Sequence, residues 1–243
     1  MPEPDLATIW VYLSASPLLG LSITLVAYSL AYRIYILANA SPLLNPVVVA
    51  VALLIGFLLV SDTGYAAYFE GAQFVHFLLG PATVALAIPL YRQLPKLKRL
   101  LLPILLAVFS GIAVGALSAV SVARLLGGSL LTQISLAPKS VTAPVAMGIS
   151  EKIGGLPSLT AVLVVATGIL GAVIGTRLFD LLRIRDDSVK GVAMGVTAHG
   201  IGTARAFQVS QEMGAFSGLA MALSAFFSAV LLPGLLDWLG LLG

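Results

Sequence analysis

The chain has 243 residues, of which 59% are hydrophobic and 9% charged, and its mean hydropathy is +1.07. Soluble domains carry about a quarter charged residues, so this composition excludes them and points to an all-α polytopic membrane protein. The net charge of +3 sits mainly in short loops, which bears on membrane orientation and gives no reason to invoke nucleic acid; with no cysteine, disulfides and thiolate metal sites are excluded.

The acidic start, Met-Pro-Glu-Pro-Asp, lacks the basic region of a cleavable signal peptide, and residues 6–13, with Trp10 and Tyr12, suit the bilayer interface. A first span is expected over 17–37, with Arg33 as an anchor near its end. A turn with two prolines and Asn45 then leads to a second span over 47–60. The third segment, 74–91, is expected to break near its middle at Gly80-Pro81, with Thr83 just beyond. Arg92, Lys96, Lys98 and Arg99 follow without an acidic neighbour, which places this loop in the cytoplasm. A fourth span covers 100–123.

The next stretch, Ser-Leu-Ala-Pro-Lys-Ser-Val-Thr-Ala-Pro (135–144), lies within a segment expected over 129–150. Pro138 and Pro144 oppose a continuous helix, and Lys139 is the only charged residue between 125 and 150. A span over 159–182, with Arg177 as an end anchor, runs to a second basic loop at 183–190, also assigned to the cytoplasm. Segment 129–150 is therefore expected to enter and leave on one membrane face, as a re-entrant hairpin. His199-Gly200-Ile201-Gly202 marks a second interrupted helix in 189–209, which is expected to cross outward before a last span over 216–239. The count is about seven to eight membrane segments, with the N-terminus outside and the C-terminus cytoplasmic. Gly80 and Thr83 echo Gly200 and Thr203, which suggests inverted repeats over 17–123 and 129–243 within one transmembrane domain, the two breaks meeting near the midplane.

Lys139 is the foremost candidate for binding a small anion, with Ser135, Ser140 and Thr142 as a hydrogen-bonding cup; the plainer reading is a lysine that snorkels to water. Arg205, about 22 Å along an ideal helix from Lys190, is either a second carboxylate clamp or a residue that pairs with Glu212 or reaches the far interface. His199 could carry a coupling proton or simply satisfy a freed carbonyl, and His76 suits the interface. Thr83, Thr203, Asn45, Gln208 and Glu151 stand near breaks, where polar side chains commonly satisfy orphan backbone groups. Gly171-x-x-x-Gly175 reads as helix packing. No nucleotide fingerprint, zinc motif or nucleophile–base set is present, so no enzyme and no resident cofactor are expected.

Several stretches resemble the LrgB (CidB) family: 135–144 above, Gly-Gly-Leu-Pro-Ser-Leu-Thr-Ala (154–161) and His-Gly-Ile-Gly-Thr-Ala-Arg-Ala (199–206). So do Leu-Leu-Gly-Pro-Ala-Thr-Val-Ala-Leu-Ala (78–87) and Gly-Ala-Phe-Ser-Gly-Leu-Ala-Met (214–221). The family usually has glutamate where this chain carries Gln208, which weakens the case for a proton-carrying role there. The resemblance implies a bacterial inner-membrane protein, with two functional descriptions. One is an antiholin-like regulator of murein hydrolases acting with a small LrgA-type membrane partner. The other follows plastid relatives that move glycolate and glycerate, and bacterial pairs linked to pyruvate uptake. A cation at a broken helix suits the second: a secondary transporter of small monocarboxylates of the glycolate, glycerate, pyruvate or lactate class, working by alternating access and coupled to a proton or sodium ion. Analogy with inverted-repeat carriers suggests a homodimer in the lipid bilayer.

Overall fold

The computed structural model describes residues 17–38, 40, 41, 44–85 and 87–241, and every regular element among them is a helix. The piece expected at 6–13 lies outside the described residues. Five helical stretches are long and apolar enough to cross a membrane: Leu18–Leu37, Tyr65–Arg92, Leu94–Leu125, Pro157–Leu181 and Gln211–Trp238. The protein is therefore multi-pass. The described chain packs as two compact units, Met1–Ala85 and Leu86–Gly243.

The first unit holds α1 (Pro17–Leu37), α2 (Pro46–Val60), α3 (Tyr65–Phe77) and α4 (Leu79–Ala85). Asn45 caps α2, its side-chain oxygen accepting from Val47 N–H at 2.9 Å, which is a structural use of that candidate. Helix α1 meets α3 where Gly20 lies against the Tyr68 carbonyl, and the Thr24 and Tyr68 hydroxyls bond at 2.7 Å. The expected break at Gly80-Pro81 occurs earlier, at Leu78. Pro81 stands in the first turn of α4, where its missing N–H costs no intrahelical bond.

The second unit runs α5 (Ala87–Arg92), α6 (Leu94–Leu125), α7 (Leu130–Leu136), α8 (Ala143–Lys152), α9 (Pro157–Leu181), α10 (Asp187–Val209) and α11 (Gln211–Trp238). Ile104, Val108, Ile112, Ala116 and Val120 recur every four residues along α6 and form one wall of the core. Val164, Val192, Phe216 and Leu232 from the other long helices fill it.

Helix α10 does not cross the unit. At His199 the backbone takes φ 41°, ψ −133°, and the chain reverses. Five contacts establish the reversal. The Ser210 hydroxyl, just past the end of α10, donates to the Asp187 carboxylate at its start, at 2.7 Å. Gly191 and Gly195 in the first arm lie against the Met213 and Ser217 carbonyls of α11. In the second arm, Thr203 and Ser217 share a hydrogen bond at 2.9 Å, and Gly214 abuts the Phe207 ring. Helix α11 thus runs parallel to the arm 187–198 and antiparallel to the arm 200–209. The expected outward crossing by 189–209 is corrected by this folding back. It also returns Arg205 toward the end where α10 begins, so counting along an ideal helix from Lys190 misplaced it.

Glycines seat the first arm. A Cβ at Gly168 of α9 would lie 2.6 Å from the His199 ring, and one at Gly175 would lie 2.8 Å from the Met194 methyl. Gly171 abuts Ala198. The packing role read from Gly171-x-x-x-Gly175 holds, with Gly168 extending the stripe by one turn.

Candidate functional site

The second unit contains two chain reversals. The first lies between α7 and α8, where Ala137 to Val141 turn through hydrogen bonds to the third residue back: Ala137 to Ile134 at 3.2 Å, Lys139 to Leu136 at 3.1 Å and Val141 to Pro138 at 3.3 Å. The interruption expected between Pro138 and Pro144 is present but sits earlier, because Pro144 is tolerated in the first turn of α8. Thr142 occupies the N-cap of α8 without a side-chain capping bond. Its position leaves the start of α8 electropositive beside Lys139.

Lys139 is half-buried, and its ammonium donates to the Ser140 hydroxyl at 3.1 Å. The ion pairs among the described residues leave Lys139 out: Lys96 pairs with Asp186 and Glu212, and Lys190 pairs with Asp187. No described carboxylate offsets the Lys139 charge.

Ser135 is not part of a cup around Lys139. It is wholly buried, its hydroxyl donating to the Leu131 carbonyl at 2.7 Å and accepting from Leu156 N–H at 2.8 Å. Its own carbonyl accepts from Thr160, which therefore latches the base of the first reversal to α9. With both its oxygens engaged, Ser135 holds the hairpin rather than a ligand.

The second reversal is pinned from two sides. The His199 ring donates from Nε2 to the Val164 carbonyl on α9 at 3.0 Å, and the side chain is 4% exposed. The Thr203 hydroxyl donates to the His199 carbonyl at 2.8 Å and meets Ser217 of α11. A non-glycine residue at this φ costs about 1–3 kcal/mol, which these contacts offset.

Beside the first reversal lies a small, mostly apolar cavity lined by three serines, with room for about one water and a volume of ≈ 10 Å³. Pro138 and Ser140 come from the first tip and Val196 from the first arm of the second hairpin. The middle turns of α6 supply Ile112 and Ala116, and those of α11 supply Ser224 and Ser228. The Ser224 hydroxyl is buried there without a hydrogen-bond partner among the described residues. Composition and loop charge did not single out Ser224 and Ser228. Their signal was a serine stripe, Ser217, Ser224 and Ser228, at helical spacing on an otherwise apolar α11.

The remaining candidates scatter. Arg205 donates to the Gln208 side chain at 3.0 Å, one turn away, while Glu212 is engaged by Lys96 at 2.7 Å. Asn45 lies in the other unit, and the side chains of Thr83 and His76 lie outside the described residues. So Lys139, Ser140 and Thr142 gather at the first tip, and His199 and Thr203 at the second.

The bases carry the charge. At the end holding the starts of α6, α10 and α11, Lys96 ties Asp186 to Glu212. The Ser188 hydroxyl and Lys96 together hold the Asp186 carboxyl down to about 2. Arg183 and Arg185 flank this cluster in sequence.

A family model described as the LrgB-like family matches residues 24–238. The chain is 40% identical to the uncharacterized protein YwbG of Bacillus subtilis over 197 residues, covering 80% of this chain and 87% of that one. It is 32% identical over 225 residues to the holin-like protein CidB of Staphylococcus epidermidis, covering 93% and 97%, and 32% identical over 219 residues to the holin-like protein CidB of Staphylococcus aureus, covering 90% and 95%. No solved structure matches. With a family match over most of its length and relatives above 30% identity at nearly full coverage, the chain belongs to the LrgB-like family.

Proposed function

We propose that the second unit is the transport core of a secondary carrier for small monocarboxylates. The observation that carries this reading is Lys139: a cation with no described carboxylate partner, at the tip of a broken helix, beside a small cavity that three serines help to line. Such a group attracts a monoanion, and the unpaired N–H groups at the start of α8 add to the attraction.

The order of elements supports alternating access. A long helix and a reversal (α6, then α7–α8) are followed by a long helix and a reversal running the other way (α9, then α10). In this reading the two halves form an inverted repeat, α6–α8 and α9–α10, in place of 17–123 and 129–243. In this reading both reversals are re-entrant. The arms of α10 rise about 18 Å and 15 Å, roughly half of a hydrocarbon core about 30 Å thick. The Lys96, Arg183 and Arg185 end would face the cytoplasm of a bacterial inner membrane. Because α10 folds back, α11 then ends on the outer face, the reverse of the expected side for the C-terminus. A proton or sodium ion would couple transport, and a homodimer or a small LrgA-type partner would complete the assembly.

A second reading has its own support: the staphylococcal relatives are named holin-like, which favours a membrane regulator of cell-wall lysis. Purified protein in liposomes separates the two. A carrier exchanges labelled glycolate or pyruvate with saturation, in the presence or absence of an LrgA-type partner. A lack of saturable exchange in both conditions removes the carrier and leaves the regulator.

A further inference from the structure

Resting on the carrier reading, we infer that Ser224 is the specificity-determining residue, the one that distinguishes a monocarboxylate bearing an oxygen on its α-carbon from one bearing none. Ser224 is 1% exposed, and its hydroxyl has no protein partner among the described residues. A serine on an apolar helix ordinarily satisfies its hydroxyl by bonding back to the preceding turn, as Thr167 does to the Leu163 carbonyl and Thr197 to the Ala193 carbonyl. Ser224 does not. Left unpaired in the interior, that hydroxyl is costly to the protein unless something that enters the cavity bonds it.

The ligand chemistry follows from what shares the cavity with Ser224. Ser140 also lines it and carries the Lys139 ammonium on its oxygen, so negative charge is favoured near Ser140. A carboxylate held by Lys139 and Ser140 directs its α-substituent away from the ammonium, toward α11. There Ser224 can donate to a keto oxygen or accept from a hydroxyl, so it suits both and finds nothing to bond in a plain alkanoate. Lys139 and Ser140 thus supply charge recognition and Ser224 reads the second oxygen. The cavity holds about one water as it stands, so admitting such a ligand requires its walls to part.

The test is competition against labelled glycolate uptake in proteoliposomes, comparing unlabelled glycolate with acetate and lactate with propionate. The wild type is expected to favour the α-oxygenated member of each pair, and Ser224→Ala to shrink that preference about tenfold by weakening glycolate and lactate while leaving acetate and propionate unchanged. Ser224→Cys, close in size but a weak donor, is expected to follow Ser224→Ala. Because the hydroxyl has no protein partner among the described residues, the Ser224→Ala thermal transition is expected at or above that of the wild type, an outcome a merely structural serine would not give. An unchanged preference in both variants overturns the role of Ser224 while the carrier reading stands. No saturable glycolate uptake by the wild type, whatever the variants do, overturns the carrier reading and this inference with it.

Discussion

The two reversals of the second unit solve one geometric problem by different means. At the first, proline chemistry stops the helices: Pro138 sits in the turn and Pro144 in the opening turn of α8, and the break needs no strained residue. At the second, no proline is present, and one buried histidine is forced into a left-handed conformation between two helical arms. The first tip therefore stands on its own sequence and can carry a charge. The second exists only because α9 and α11 hold it, through the Val164 carbonyl and Ser217, and it carries neutral groups. Local chemistry leaves the Lys139 ammonium of the first reversal without a described carboxylate partner; tertiary contacts use up the polar groups of the second.

The largest test of this contrast is Lys139→Ala. Losing the one cation at the first tip is expected to lower saturable carboxylate uptake by about a hundredfold, with the thermal transition in detergent unchanged because no described carboxylate depends on it. Lys139→Arg is not expected to restore uptake, since a planar fork replaces a compact charge in a tight turn. Wild-type uptake by a folded Lys139→Ala protein would make the two tips functionally equivalent.

Next in size is Gly195→Ala. Its new Cβ would strike the Ser217 carbonyl, which is backbone and cannot rotate away, so the second hairpin should be displaced from α11 at a cost of about 1–3 kcal/mol. Gly148→Ala, on α8 where nothing lies within 4 Å of a new Cβ, should cost nothing measurable. Equal denaturation midpoints for the two variants would argue that the hairpins are seated alike.

A finer comparison replaces His199 by alanine and by glycine. Both lose the bond to Val164, but glycine accepts φ 41° freely, so His199→Gly should be more stable than His199→Ala by about 1 kcal/mol. The reverse order in thermal unfolding would mean that the tip relaxes to an ordinary helical conformation once the ring is gone.

The smallest effect concerns the base of the second hairpin. With its folded pKa held down to about 2, Asp186 contributes stability that is present above its unfolded value near 3.8 and is lost as pH falls toward 2. Between pH 4 and 2, Asp186→Asn should show a shallower fall in unfolding temperature than the wild type. Parallel curves would leave the lock without thermodynamic weight.

Much of the first reversal was legible in the residues: two prolines and a solitary lysine in an apolar run specify both the break and its charge, because proline acts on its own backbone. The stripe on α9 was half legible, as Gly171 and Gly175 but not Gly168, whose purpose is to admit the His199 ring. The second reversal was legible as an interruption but not as a change of direction. Gly200 and Gly202 weaken a helix without saying which way the chain leaves, and only packing against α9 and α11 turns the arms back on each other. The same packing decided that Ser135 is a latch, that Lys96 rather than Arg205 engages Glu212, and that Ser224 and Ser140 line one cavity. Composition and proline placement thus determined the membrane class and the charged tip. The second hairpin rests on contacts between residues far apart in the chain, which no local pattern encodes.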